Sequence, residues 1–222
     1  MPVREQDRKA YVERYTERLA RHGETPEALG WGLNPRQDVR FGVLAEPALG
    51  EPSSSVLDVG CGFADLFDFL GARGWRGRYT GIDIVPALIE RARRRHPGLD
   101  LRERDITDEA GRLEPADFVV ASGVFNARLE AEDNPSHIQQ ALACMLELAR
   151  VAVCADFLST RVDFQKLGAW HTEPGWALEA GLRLSPRAVL RHDYMPYEFA
   201  LFIYKDASRD ERGVFRARTP RP

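Results

Sequence analysis

Val56-Leu57-Asp58-Val59-Gly60-Cys61-Gly62-Phe63-Ala64-Asp65 sets two acids and two glycines around one turn. Val56, Leu57 and Val59 suit a strand covered on both faces, and Gly60 and Gly62 let the backbone turn sharply and approach a ligand. Leu66, Phe67, Phe69 and Leu70 supply the packed face of a following helix. A second apolar run, Tyr79-Thr80-Gly81-Ile82-Asp83-Ile84, brings another acid to a strand end. A carboxylate there can accept both hydroxyls of a ribose, so Asp83 is the expected ribose partner, with Ile84 packing on an adenine. Together the two segments describe a pocket for an adenosine-containing cofactor.

A dinucleotide fingerprint, G-x-G-x-x-G, receives a pyrophosphate on its loop and helix N-terminus. This chain has Ala64 as its third small residue, one place early, and Asp65 where that fingerprint wants glycine. A carboxylate at the helix mouth competes with pyrophosphate for the same amides, and Asp58 ahead of the loop suits a cationic ligand. S-adenosylmethionine, with a sulfonium, an amino group and no phosphate, fits these features. Asp58-x-Gly60-x-Gly62-x-Ala64 followed by Asp83 resembles motifs I and II of the class I S-adenosylmethionine-dependent methyltransferases, with Ala64 in place of the usual third glycine. The resemblance implies that Gly60 and Gly62 meet the methionine part through backbone and that Asp58 orients the loop or the amino group. It also implies that Asp105 and Ile106 face the adenine and that Ser122 and Gly123 pass under the cofactor. Asp105 equally suits a cap on the next turn through Thr107. The reaction expected is direct SN2 methyl transfer, with alignment and exclusion of water as the enzyme's main contribution.

The acceptor side gathers in His192-Asp193-Tyr194-Met195-Pro196-Tyr197-Glu198, which reads as the loop of a final hairpin. His192 can take a proton from an acceptor hydroxyl, with Asp193 or Glu198 orienting it. Tyr194 and Tyr197 can wall off the methyl group or hold a cationic or aromatic acceptor. A tight turn whose histidine caps a strand accounts for the same residues. Asn126, His171 and Trp31 are the expected acceptor-binding residues, and Arg40 is placed to pair with the methionine carboxylate as a fork. Relatives that methylate exocyclic or amide nitrogens often carry Asn or Asp before Pro-Pro-aromatic where this chain has Ser-Gly-Val-Phe-Asn126, which disfavours those acceptors. Asp156 lies within a strand and no acid ends the fourth strand, so no metal is expected. His22, His96 and His137 read as surface residues of helices.

The elements that position these residues alternate as strand and helix, which argues for an α/β fold: a Rossmann-like, seven-stranded, mostly parallel sheet with an antiparallel last strand and helices on both faces. Further strands are expected at 99–104, 117–121 and 151–157, then a last antiparallel pair at 188–191 and 199–204. The clearest helix carries Ile138, Ala141, Leu142, Met145 and Leu148 at helical spacing. Two helical segments precede the first strand, one with Tyr11, Val12, Tyr15 and Leu19 on a single face. Residues 1–50 therefore read as an N-terminal helical extension or lid, 51–205 as the methyltransferase domain and 206–222 as a mobile Arg-rich tail.

A chain of 222 residues accommodates one full core, and a net charge of −3 gives no support for a nucleic-acid partner. Three cysteines without metal-ligand spacing indicate neither a disulfide framework nor zinc. No run is long and uncharged enough to span a bilayer, so the cytoplasm is the default. The expectation is a methyltransferase acting on a small-molecule metabolite. Modification of a protein, RNA or glycan is the alternative, ahead of a dinucleotide oxidoreductase or a silent binding module.

Overall fold

The computed structural model of the protein describes residues 4–30, 36–108, 113–131 and 133–206. Among these residues the strands are β1 Val56–Val59, β2 Tyr79–Asp83, β3 Asp100–Glu103, β4 Ala116–Ala121, β5 Ala149–Leu158, β6 Ala188–Met195 and β7 Glu198–Tyr204. They form one sheet in the order β3-β2-β1-β4-β5-β7-β6, in which only β7 runs antiparallel to its neighbours. The helices are α1 Glu5–His22, α2 Arg36–Leu44, α3 Glu46–Gly50, α4 Asp65–Ala72, α5 Pro86–Arg95, α6 Asn134–Leu148 and α7 Pro174–Leu184.

The apolar runs explain this arrangement. Leu57, Val119 and Val153 on the three central strands are fully buried, because helices cover both sheet faces. Phe41, Leu44, Leu66, Phe69 and Ile89 from α2, α4 and α5 pack one face. Ile138, Leu142, Met145 and Ala177 from α6 and α7 pack the other. The chain builds β1, β2 and β3 outward on one side, then crosses back to place β4 on the other side of β1. A crevice opens at such a reversal, outside the carboxyl ends of the strands.

Local signals set the helix ends. Pro86 and Pro135 stand in the first turns of α5 and α6. The Asp133 carboxylate accepts the Ser136 N–H at 3.0 Å and caps α6. Ala64, in the place of the third glycine, takes the left-handed conformation at φ +62° and hands the chain into α4.

α1 lies over the crevice. Asp7 at its start accepts the Glu130 N–H at 2.8 Å and the Ala131 N–H at 3.2 Å. Tyr15 and Leu19 pack toward Val85 and Leu88 beside α5. Exposed pairs, Arg8–Glu103 at 3.2 Å and Arg91–Glu24 at 2.8 Å, add modest surface links.

One element departs from the sequence reading. His192, Asp193, Tyr194 and Met195 belong to β6, so the connection to β7 is only Pro196-Tyr197. The register slips between Arg191 and Met195, and this irregularity lets a strand absorb polar residues that break apolar alternation. Trp31 and the tail beyond Asp206 lie outside the described residues. Among those residues no helix is long and apolar enough to cross a membrane.

Candidate functional site

The carboxyl ends of β1, β2, β4 and β5 border a cavity of about 680 Å³ at the β1–β4 reversal. Asp83 closes β2 with a buried carboxylate whose Oδ2 accepts the Gly62 N–H at 3.0 Å and whose Oδ1 accepts the Val85 N–H at 2.9 Å. A carboxylate offers about four lone-pair sites, so each oxygen keeps room for one more donor, as two neighbouring hydroxyls require. Burial pushes the Asp83 pKa up to about 6, against the opposing pull of the Val85, Gly62 and Ile84 amides.

The turn after β1 is close-packed at its two glycines, both in the left-handed region. A Cβ at Gly60, where φ is +71°, would stand 2.6 Å from Val124 Cγ2. At Gly62, with φ +56°, it would meet Leu29 at 3.1 Å. Asp58 lies at the base of this turn and accepts the Tyr79 O–H at 2.5 Å. Burial raises its pKa to about 7, with the Tyr79 hydrogen bond acting the other way.

The remaining walls follow from the neighbouring strand ends. Asp105 Oδ1 accepts both the N–H and the O–H of Thr107 at 2.8 Å, so it caps its own turn while also lining the cavity beside Ile106. Asp156 of β5 accepts the Ser122 O–H at 2.8 Å and the Gly123 N–H at 2.6 Å, fixing the turn after β4. Burial pushes the Asp156 pKa up to about 6. Asn126 follows in a short 3₁₀ turn, Val124–Asn126, and its Oδ1 accepts the Leu158 N–H at 2.8 Å. Arg40 reaches the cavity from α2, but its Nε and Nη2 hold Glu198 of β7 as a buried fork. The edge expected to grip a methionine carboxylate is therefore engaged by the protein itself.

The structure thus brings Asp58, Gly60, Gly62, Asp83, Ile84, Asp105, Ile106, Ser122, Arg40 and Asn126 to one cavity. It does not bring His192, Tyr194, Tyr197 or His171 there. His192 Nε2 is 3.0 Å from the buried Ser159 Oγ, and its ring stacks on Phe199. His171 Nδ1 donates to the Ser159 carbonyl at 2.8 Å. Asp193 pairs with Arg191 at 3.3 Å and Glu198 with Arg40, so neither acid orients His192 as the sequence suggested. Tyr194 packs against the core, and Tyr197 faces solvent at the turn. The cause is topological. β6 is the sheet edge, four strand spacings from β1, or roughly 19 Å at about 4.8 Å each.

Other lining residues escaped the sequence reading. Tyr11 and Tyr15 stack at 6.4 Å on the underside of α1, and Arg18 sits beside them over Gly30. Their spacing along one helix face reads as ordinary core packing. His137 of α6, expected on the surface, lines the cavity edge-on to Phe125 at 6.4 Å. Lys166 and Leu167 close the far side from the segment after β5, next to Gly168 and Ala169, and no local pattern marks these two.

The strand order and a buried carboxylate beside a glycine cradle define a Rossmann-like protein that binds an adenosine cofactor. Residues 56–149 match the family model described as a methyltransferase domain. A methyltransferase-like protein of Mycobacterium tuberculosis is 33% identical over 156 residues, covering 68% of this chain and 93% of the relative. The chain belongs to the class I S-adenosylmethionine-dependent methyltransferases, and its methyl donor is S-adenosylmethionine. Solved structures agree on the fold. The magnesium protoporphyrin IX methyltransferase of Synechocystis superposes with a TM-score of 0.61 at 14% identity, over 90% of this chain and 97% of the other. An N-methyltransferase from Bradyrhizobium japonicum gives 0.62 at 17% identity, over 86% and 98%.

Proposed function

We propose that this enzyme methylates a small molecule inside the cavity beneath α1. The carrying observation is the cavity itself. Its volume of about 680 Å³ lies within the roughly 300–1,000 Å³ of small-molecule sites, and α1 roofs it. One structural neighbour is named for a small-molecule acceptor, magnesium protoporphyrin IX, which agrees with this reading.

S-adenosylmethionine supplies an electrophilic methyl group when bound. Asp83 accepts the ribose hydroxyls, and Ile84, Asp105 and Ile106 border the adenine. Gly60, Gly62 and Ser122 follow the methionine part through backbone and hydroxyl. Asp58 favours the cationic end of the donor once ionised. Arg40 keeps Glu198 neutralised, and Arg18, lining the cavity from α1 beside Gly30, is the guanidinium offered to the methionine carboxylate. Asn126 stands at the boundary between donor and acceptor. α1 acts as the lid, latched through Asp7 to the backbone after the 3₁₀ turn.

Label transfer tests this reading. The protein is incubated with methyl-labelled S-adenosylmethionine and cell extract, and the products are separated by size. Label in the small fraction, absent with Asp83→Ala, is the expected result. Label confined to macromolecules overturns the small-molecule reading.

A further inference from the structure

The acceptor side of the cavity has a single electrical sense. Asn126 Oδ1 is taken by the Leu158 N–H, which fixes the amide and leaves Nδ2, a donor only, without an acceptor among the described residues. Lys166 lines the same side, and its ammonium has no acidic partner among the described residues. Two acids lie on this side among those residues: Glu198 is closed in its buried fork with Arg40, and Asp156 is closed on the Ser122 O–H and the Gly123 N–H. Phe41 and Leu158 add apolar wall to the same cavity, and Leu167 is 99% exposed.

We infer that the methyl acceptor is a small organic anion that arrives already deprotonated, its negative group on Asn126 Nδ2 and Lys166 Nζ and its apolar body against Phe41 and Leu158. This rests on the methyltransferase reading of the same cavity. A fixed donor and an uncompensated ammonium lining one cavity select a group that only accepts hydrogen bonds.

The chemistry balances without a base. A lone pair of the anion forms the bond to the methyl carbon as the carbon–sulfur bond breaks, and that bond's electron pair stays on sulfur. The sulfonium charge and the anion's charge cancel, and no proton is released. Withdrawal from water strengthens the attraction between two opposite charges, which suits a reaction that consumes both. A neutral hydroxyl would need a base beside it. Among the described residues the histidine lining the cavity is His137, edge-on to Phe125, so an acceptor that needs a base would depend on His137, whereas a deprotonated one would not.

The test uses the whole protein saturated with S-adenosylhomocysteine, titrated calorimetrically with hexanoate and with hexanamide, which share a shape and differ in charge. Saturation is measured first. If S-adenosylhomocysteine does not bind, the methyltransferase reading of the cavity falls and the inference with it. If it binds without any preference for the anion, the inference alone falls. The expected result is hexanoate tighter than hexanamide by about tenfold, with the preference shrinking to about threefold or less in Lys166→Met and weakening as salt rises. Hexanamide binding as tightly as hexanoate, no hexanoate binding up to millimolar concentration, or a preference untouched by Lys166→Met would each overturn the proposal.

Discussion

The turn after β1 and the turn after β6 both lie at the carboxyl edge of the sheet, and both set acids beside residues that bend the chain. The first is built around empty space. Gly60 and Gly62 leave a cradle, and Asp58 and Asp83 face it with burial-raised pKa values. The second is built around filled space. His192 stacks on Phe199, Tyr194 packs into the core, and Asp193 and Glu198 are paired with Arg191 and Arg40. Polar residues at a strand end thus acquire chemistry only where the topology opens a crevice, and β6 is too far along the sheet.

Removing the cradle's acid gives the largest expected effect on this contrast. Asp83→Ala loses charge-assisted hydrogen bonds to two hydroxyls, about 1.5–3 kcal/mol each, so S-adenosylhomocysteine affinity in calorimetry falls roughly a hundredfold or more. Asp83→Asn, which keeps the side-chain shape, separates that loss from misfolding.

Filling the cradle comes next. Gly60→Ala forces a left-handed alanine, costing about 1–2 kcal/mol, and drives its Cβ toward Val124. Urea unfolding and a cofactor titration are both expected to show the loss.

Acidity sharpens the contrast further. Burial holds Asp58 protonated to about pH 7 and Asp83 to about pH 6, against an ordinary value of 3.8. Between the ordinary and raised values the folded chain binds more protons than the unfolded one. The stability this protonation contributes is therefore full below about pH 4 and is lost as pH rises to about 7. Donor affinity moves the other way, rising through the same interval as the carboxylates ionise. Parallel melting and binding series across pH are expected to cross in this sense.

The smallest effect belongs to the edge hairpin. His192→Ala loses a hydrogen bond to Ser159 and one ring contact, about 1 kcal/mol of stability. Cofactor affinity and turnover are expected to stay unchanged, as calorimetry and the label assay can check.

This division also explains what the sequence made legible. Asp58 through Asp83 lie in two short strand-turn segments, and local residue types specify their roles. The parallel sheet and its antiparallel member follow from alternating apolar runs by the same logic. The acceptor side is assembled from α2, the 3₁₀ turn, the segment at 166–169 and β7, and no local pattern links Arg40 to Glu198 or Asn126 to Leu158. Tyr11 and Tyr15 resemble any packed helix face until α1 is seen over the crevice. His192 and Asp193 break apolar alternation, so they read as loop, whereas an irregular pairing keeps them in β6.

A crystal structure with S-adenosylhomocysteine bound tests the central claim most directly. The expected result is ribose hydroxyls on the Asp83 carboxylate and the sulfur directed past Ser122 toward Asn126 and the 166–169 segment. A sulfur directed instead toward His192 and the Pro196-Tyr197 turn, or a ribose held away from Asp83, would contradict it.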